Sequence, residues 1–557
     1  MRLRASLWVS LATVLLASPA LLVAQFADTG LIRLVANRVM LPRHPPLPTV
    51  RNAGPPAAEP ATRGLQPLGL VRNRPEELGQ VPDHFIWLRD GLMAAQDPDG
   101  QFVFFGDDGH ITGRATLPTD FAIGDVAAGA SAVRLIDTTG RRQMTITRNL
   151  DAAALRSLQA LPITPDGTAR ARSLTRRGPN LVQLREEDRP RAKPLDIRSV
   201  TGAALAQAYD IGTGTGETRY VVSEEIAAVA PRLAVRVFVR RYNRAGETTG
   251  IVHVPIDDFE VVPHDFIAVT DKGDLRVLAP TASGVKIRVY EFTAPPRGQR
   301  KLREEELKSF GRKVRDINVD SQISQTTPQD QIQSAEAVPV EIVLPPPPPI
   351  TRAKILANAR AFLTVNWVFK PDNFARTNVE NACDPHQGQI WLRPRHFTRD
   401  LVGQTIGPMP YRWGGGDTPQ TFLQRVEWGA LAGNICTCRD PTLNYCIFAD
   451  SAGTDCSGFI STAWGIPKRG TSGLLDVADR LKNLSELRPG DAIDWPQHHV
   501  RLFVGMAPGP ATAFTVLESS TRYGCEGVCE STYRPSELAG YQLLRYRGVR
   551  EDAEAKR

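Results

Sequence analysis

The first 380 residues of this 557-residue chain contain no cysteine, and all seven cysteines follow position 380. Disulfides and cysteine-ligated metals are therefore confined to the last third of the chain. After the N-terminal 24 residues, no run is long and apolar enough to span a bilayer. Basic residues form no stripe interleaved with aromatic side chains, so the net charge of +7 does not indicate a nucleic-acid partner.

The N-terminus has the pattern of an export signal. Two arginines in the first four residues precede an apolar run, and Ser18-Pro19-Ala20 places small residues where a signal peptidase reads. The pattern favours a cleaved signal peptide over residues 1–24, and the alternative is an uncleaved N-terminal membrane anchor. Either one sends the protein to the periplasm or cell envelope, where cysteines usually pair. Seven is an odd number, and we take Cys456 to be the one left over.

Proline-rich stretches divide the remaining chain into segments. Short apolar runs separated by turns such as Asp99-Gly100 and Lys272-Gly273 predict an all-β module. No fixed repeat period emerges, so both a β-propeller and a β-sandwich fit, with a preference for the propeller. The predicted segments are the leader (1–24), a Pro/Ala-rich extension (25–80), the all-β module (81–294), a charged and Pro-rich linker (295–350), an α+β domain (351–548) and a charged tail (549–557).

One stretch in the last domain carries a candidate nucleophile. Asp455 has the character of an N-cap, and apolar residues from Phe459 to Trp464 recur at helical spacing, so Cys456 is expected on the first turn of a helix. A sulfur there faces backbone N–H groups and the positive end of the helix dipole, which favour the nucleophilic thiolate. The alternative is a buried cysteine in a core helix.

A cysteine nucleophile needs an imidazole to accept its proton and a polar group to orient that imidazole. His499 begins a strand-like run and lies on the face opposite its aliphatic residues, so it is favoured as the base over His498. If Val504 pairs with Ala513 on the following strand, His499 faces Glu518. The alternative for Glu518 is an exposed position at a strand end.

Four motifs occur in an order that resembles the NlpC-type cell-wall peptidases, which are papain-like cysteine endopeptidases of peptidoglycan. They are Tyr411-Arg412-Trp413-Gly414-Gly415, Asp455-Cys456-Ser457-Gly458-Phe459, Pro489-Gly490-Asp491, and His499-Val500 with Val504-Gly505. The resemblance covers about residues 350–548 and implies a papain-like α+β fold with no cofactor and no metal. It leaves the β module unassigned.

The resemblance also implies residue roles and a substrate. Cys456 would be the nucleophile, its N–H part of the oxyanion hole, His499 the general base and Glu518 the orienting residue. Tyr411 would line the site, and Asp455 and Ser457 would hold the free amine of a stem peptide. The expected reaction is amide hydrolysis in peptidoglycan stem peptides, often between D-glutamate and a diamino acid.

Two features depart from the family pattern. Glutamate replaces the commoner His, Asn or Gln as third residue, and residues 416–454 form an insertion that contains Cys436, Cys438 and Cys446. In an exported chain these cysteines are expected in disulfides rather than in a zinc cluster. Cys525 and Cys529 form a plausible local pair, and Cys383 is expected to join one of the insertion cysteines.

Two other functions remain open at this stage. The last domain could be a catalytically silent module that binds the wall or a protein, or an amidase or acyltransferase acting on a substrate outside the wall. The β module is expected to place the protein on the wall or on a protein partner.

Overall fold

The computed structural model describes most of the chain after residue 81. The described ranges are 82–88, 91–97, 101–117, 123–128, 132–137, 143–147, 172–186, 194–213, 218–281, 283–296, 302–319, 347–374, 391–436, 447–508 and 512–551. The predicted leader and the Pro/Ala-rich extension therefore lie outside the described residues. Within the described ranges, no helix has the length and apolarity required to cross a membrane.

The described residues are mostly β-sheet with few helices, and those between 82 and 319 form a series of antiparallel meanders. Among the described residues between 82 and 319, five sheets follow one another, and each joins strands that are neighbours in sequence. The strands are β1 Asp83–Trp87, β2 Met93–Gln96, β3 Gln101–Phe105, β4 Ile111–Thr116; β5 Ile123–Ala128, β6 Ala132–Asp137, β7 Gln143–Thr147; β8 Arg172–Gly178, β9 Leu181–Glu186, β10 Leu195–Arg198; β11 Ala204–Thr213, β12 Arg219–Ala228, β13 Ala234–Tyr242, β14 Thr248–Val254; β15 Ile267–Val269, β16 Leu275–Thr281, β17 Gly284–Glu291 and β18 Arg312–Asn318.

Contacts between the sheets link them in a row. Strand β1 of the first sheet contacts β5 of the second and β15 of the fifth. Strand β11 of the fourth sheet contacts β15 and also β9 of the third sheet. The spatial order is therefore second, first, fifth, fourth, third, and the first sheet of the module lies against the last.

The β module extends further along the chain than the sequence indicated. Helix α1 (Glu304–Lys308) and strand β18 fall in the segment that we placed in the linker, yet β18 completes the fifth sheet by pairing with β17. The predicted boundary at residue 294 is wrong. Strand β18 is an edge strand with charged, mostly exposed side chains, so its sequence lacks the apolar pattern that would indicate a strand.

The last domain is built around one antiparallel sheet of six strands in the order β24-β29-β25-β26-β27-β28. Its elements are β19 Ile350–Thr351, α2 Arg352–Leu363, β20 Trp367–Val368, β21 Thr405–Ile406, α3 Pro419–Glu427, β22 Leu431–Ala432, β23 Ser451–Ala452, α4 Cys456–Trp464, β24 Ala478–Arg480, β25 Ala492–Trp495, β26 His499–Met506, β27 Phe514–Ser520, β28 Gly527–Tyr533, β29 Gln542–Tyr546 and β30 Val549–Arg550. Strand β30 pairs with β19, so the predicted tail begins after residue 550.

Helices α2 and α4 cover one face of this sheet. Thr351 caps α2 by accepting a hydrogen bond from the Lys354 amide, and the apolar side of α2 is buried. Phe362 of α2 meets Phe459 of α4 edge to face, with ring centroids 5.2 Å apart. The same core contains Cys456 and the aliphatic side chains of β26, so the helix that bears the candidate nucleophile rests on the strand that bears the candidate base.

The opposite face of the sheet is covered by the β module. Leu233 and Val235 share one hydrophobic cluster with Phe503, Val516 and Tyr541 of the last domain. The two parts therefore pack directly on each other, although residues 320–346 of the linker separate them in sequence and lie outside the described residues.

Candidate active site

Cys456 is the first residue of α4, as its spacing predicted. The side chain of Asp455 caps the helix: one carboxylate oxygen accepts hydrogen bonds from the Gly458 amide at 2.6 Å and the Ser457 hydroxyl at 3.0 Å. Cys456 is a thiol, not part of a disulfide, and is only 2% exposed. Cys456 therefore lies at the positive end of the α4 dipole.

The loop before Cys456 is held between two other segments. The Asp455 amide donates to the Gly415 carbonyl at 3.2 Å, and the Ser519 hydroxyl on β27 donates to the Thr454 carbonyl at 2.8 Å. A Cβ atom at Gly458 would lie 2.3 Å from the Gly415 oxygen, so the glycine after Cys-Ser is required by this close approach. The start of α4 is thereby fixed beside the end of β27.

His499 and Glu518 form a buried pair, as the sequence analysis proposed. The Nε2 atom of His499 lies 2.9 Å from a Glu518 carboxylate oxygen, and Arg501 Nε donates to the same oxygen at 3.0 Å. The other oxygen accepts a hydrogen bond from the Tyr533 hydroxyl at 2.6 Å. The Arg501 guanidinium stacks between the Tyr533 and Tyr541 rings, 4.2 and 4.8 Å from their centroids.

These contacts determine the charges of the pair. Burial alone would raise the pKa of Glu518, but Arg501 and the hydrogen bond from His499 outweigh burial and hold this pKa well below its ordinary value. Burial and the nearby Arg501 charge lower the pKa of His499, against the opposing effect of Glu518. An ionised carboxylate can only accept, so Nε2 of His499 carries the proton and Nδ1 of the neutral ring is the basic nitrogen.

The predicted strand register is wrong by two residues. In the structure Leu502 pairs with Leu517 and Phe503 with Val516, and a bulge follows, so Val504 does not oppose Ala513. When this register is continued to the end of the ladder, Arg501 lies directly opposite Glu518, and His499 lies diagonally across from Glu518. Because side chains alternate with a period of two, a shift of two residues keeps His499 and Glu518 on one face, and the contact survives.

The pair lies on the sheet face away from α4. Val500, Leu502 and Leu517 belong to the core that contains Cys456, whereas the alternate positions His499, Arg501 and Glu518 point toward the β module. His499 is the first residue of β26, at the same end of the sheet as Ser519. A contact between the Cys456 sulfur and the imidazole can therefore form only around this end of the strand.

The other predicted site residues are held inside the protein. Tyr411 is fully buried in a small cluster with Trp413 and Ile435, and its backbone bridges to Thr454. Ser457 is also buried, and its hydroxyl donates to Asp455. These positions place Tyr411, Asp455 and Ser457 around the start of α4.

Lys468 is a neighbour of this group that the sequence analysis missed. Its ammonium lies 2.5 Å from the second carboxylate oxygen of Asp455, so both oxygens of Asp455 have partners within the protein. The Lys468 side chain is 35% exposed, and its aliphatic part lies against Gly416. No local pattern indicates this pairing, since 13 residues separate the two side chains.

The described residues of the insertion, 416–436 and 447–454, fold against the loop that leads to Cys456. The Arg425 guanidinium of α3 donates to the Ser451 carbonyl at 2.6 Å, and Asp417 accepts from the Gly453 amide at 2.9 Å. Cys436 is disulfide-bonded, but the predicted pairings of Cys383, Cys438 and Cys446 lie outside the described residues. The predicted Cys525–Cys529 disulfide is confirmed. In the described part of the chain, no cluster of potential metal ligands is present.

The lowered pKa of His499 leads to a testable pH dependence. Any reaction that uses the neutral His499 imidazole should keep its rate as the pH falls, and should lose that rate only below pH 6.5, the ordinary pKa of histidine. We expect the acid limb of kcat/KM to have its midpoint below pH 6.5. Rates measured between pH 4 and pH 8 test this, and a midpoint above 6.5 would contradict the assigned environment of His499.

Comparisons with known proteins give no functional identification. No family model and no curated protein matches the chain. Solved structures with partial similarity include Hsv2 of Kluyveromyces marxianus, hydrazine synthase of Kuenenia stuttgartiensis and the Dos1 propeller. Their identities are 10%, 11% and 9%, with TM-scores of 0.15, 0.21 and 0.17. The matches cover 36%, 42% and 39% of this chain and 60%, 80% and 56% of those chains. At these values the similarity carries no argument about function.

Proposed function

We propose that this protein is an exported cysteine peptidase that hydrolyses amide bonds in peptidoglycan stem peptides, of the D-glutamyl to diamino acid type. The observation that carries the proposal is the buried His499–Glu518 pair at the sheet end next to the loop that presents Cys456. The four sequence motifs that resemble NlpC-type peptidases supply the substrate class.

The proposed mechanism uses groups whose protonation follows from their contacts. His499 Nδ1 accepts the Cys456 proton, and the thiolate attacks the scissile carbonyl carbon to give a tetrahedral intermediate. The Cys456 N–H stabilises the oxyanion. The imidazolium, held by Glu518, then protonates the leaving amine, and water hydrolyses the thioester with the same imidazole as base. The proposal requires the sulfur to come within hydrogen-bonding distance of Nδ1.

Three features support the proposed architecture and location. The five consecutive meanders, with the first sheet packed against the last, favour a five-bladed propeller for the β module. A six-stranded sheet with a cysteine at the start of its covering helix fits a papain-like domain. The Cys525–Cys529 disulfide supports an oxidising compartment such as the periplasm.

Mass spectrometry of defined muropeptides after incubation with the full-length protein tests the proposal. The wild type should release new fragments that identify the cleaved bond, whereas Cys456→Ala should release none. His499→Ala should lower kcat by about 10⁴-fold or more, since it removes the base.

His498→Ala provides a matched control for the loss of an imidazole. His498 lies in the turn before β26, with its ring 4.8 Å from that of Trp495, and is not part of the pair. This variant should retain cleavage. If folded wild-type protein leaves all muropeptides intact but binds them, the domain is a binding module. Cleavage only of substrates from outside the wall would indicate the amidase or acyltransferase alternative.

A further inference from the structure

The β module covers the sheet face that carries the candidate base. Leu233 of the module exchanges two backbone hydrogen bonds with the last domain: its amide donates to the Tyr541 carbonyl, and its carbonyl accepts from the Gly540 amide, both at 2.8 Å. The Tyr541 ring in turn stacks on Arg501, which donates to Glu518. One backbone segment thus links the module to the environment of Glu518.

A second link passes through Arg534, the residue after β28. Its guanidinium stacks over Tyr209 of the module at 4.3 Å, pairs with Asp265 at 3.3 Å and donates to the His264 carbonyl. The preceding residue, Tyr533, is the last of β28 and donates to Glu518. The module therefore holds the chain immediately beside the hydroxyl group that contacts the candidate catalytic carboxylate.

Further buried polar contacts fix the segment that follows Arg534. Glu224 of the module is fully buried and accepts hydrogen bonds from the Ser536 amide at 3.0 Å and the Ser536 hydroxyl at 2.9 Å. His264 lies 3.1 Å from Glu537. Buried, paired polar groups impose one arrangement on an interface because any other arrangement leaves them without partners. Tyr533 and Tyr541 are thus the two ends of a segment that the module holds in place through these polar contacts.

We infer that the β module is a working part of the proposed active site rather than only a targeting domain. Through Arg534 it positions Tyr533, and through Leu233 it positions Tyr541, so that Tyr533 and Arg501 hold Glu518 where it orients the His499 imidazole. This inference rests on the proposed function for its catalytic meaning, but the positioning concerns the chain's own residues. The titratable and charged groups that face Glu518 are His499, Arg501, Arg522, Tyr533 and Tyr541.

Three variants of the full-length protein test the coupling. Tyr533→Phe keeps the ring against Arg501 but removes the hydrogen bond to Glu518. Without this hydrogen bond, more negative charge remains on the Glu518 carboxylate, which raises the pKa of the His499 imidazole. The midpoint of the acid limb of kcat/KM should therefore rise by about 0.5 to 1 pH unit. We expect kcat to fall about tenfold with KM nearly unchanged, because orientation of the base is lost and substrate binding is not.

Arg534→Ala should shift the acid limb in the same direction without touching Glu518, and Arg534→Lys should restore part of the wild-type behaviour by keeping the charge beside Asp265. Arg547→Ala is the matched control, because Arg547 forms a partly exposed ion pair with Asp479 at 2.9 Å within the last domain. This control should leave kcat and the pH profile unchanged. Thermal melting should verify that each variant is folded.

The pH dependence of Cys456 alkylation by iodoacetamide separates this inference from the proposed function. If wild-type protein cleaves no muropeptide but the alkylation profile shifts in Tyr533→Phe and Arg534→Ala, the coupling holds and the peptidase proposal fails. If Tyr533→Phe and Arg534→Ala are folded and match the wild type in both kcat and alkylation profile, the inference is overturned. Should Arg534→Ala fail to fold, Arg534→Lys takes its place in both comparisons.

Discussion

Replacing Glu518 by leucine is expected to lower the free energy of unfolding by about 3–5 kcal/mol at pH 7. The carboxylate is fully buried, and its loss leaves the buried Arg501 guanidinium without a counter-charge. The Tyr533 hydroxyl also loses its acceptor. Urea-induced unfolding followed by far-UV circular dichroism measures the effect. The substitution should also abolish the proposed hydrolysis, because the imidazole loses its orienting group.

Two further variants distinguish a broken ion pair from lost packing. In Glu518→Leu/Arg501→Leu both charges are gone, so the double variant should be markedly more stable than Glu518→Leu alone. Glu530→Leu on the neighbouring strand β28 is the control, because Glu530 is only partly buried and opposes Leu517 in the ladder. Its effect should be within about 0.5 kcal/mol. A double variant no more stable than Glu518→Leu would show that the unpaired charge is not the source of the loss.

Replacing Asp494 by asparagine should stabilise the protein at alkaline pH. Both Asp494 oxygens are buried without a hydrogen-bond partner among the described residues, and burial raises the pKa of this carboxyl to about 8. The folded protein therefore favours the protonated Asp494 carboxyl. The resulting loss of stability is absent below the unfolded-state pKa near 4 and grows with pH until about pH 8, where the folded protein also ionises. At about 1.4 kcal/mol per pKa unit, Asp494→Asn should gain up to roughly 5 kcal/mol above pH 8 and almost nothing at pH 4.

Denaturant unfolding of wild type and Asp494→Asn at pH 4, 6 and 9 tests this sign and size. Asp479→Asn is the control, since Asp479 lies on the same sheet but is 70% exposed and paired with Arg547. The control should show no comparable rise in stability between pH 4 and pH 9. A constant difference between Asp494→Asn and the wild type across this range would mean that the Asp494 carboxyl is not forced into its neutral form.

Local sequence patterns predicted the chemistry-bearing elements because these depend on neighbouring residues. The capping of α4 by Asp455 follows from residue type and helical spacing, and the structure confirms it. His499 and Glu518 were placed on a common face by the period of a strand, which tolerates the two-residue error in register. The Cys525–Cys529 disulfide could be predicted because only four positions separate the two residues.

Long-range contacts escaped the sequence analysis for the opposite reason. Nothing near Glu518 in sequence indicates that Tyr533 donates to it, and nothing near Asp455 indicates that Lys468 neutralises it. Residues 474–483 have a helix-like sequence pattern, yet they form the end of a short 3-10 helix followed by β24, because pairing with β29 outweighs local propensity.

By itself, the sequence determined which residues could supply a nucleophile, a base and an orienting carboxylate, since each lies in a local pattern that its own neighbours enforce. Only the tertiary structure decided that Arg501 completes the charge balance of His499 and Glu518, and that the β module covers their face of the sheet. The physical reason is that burial and ion pairing depend on which surfaces meet. In this protein the surfaces that meet at Arg534 and Asp265 are 269 residues apart in the chain.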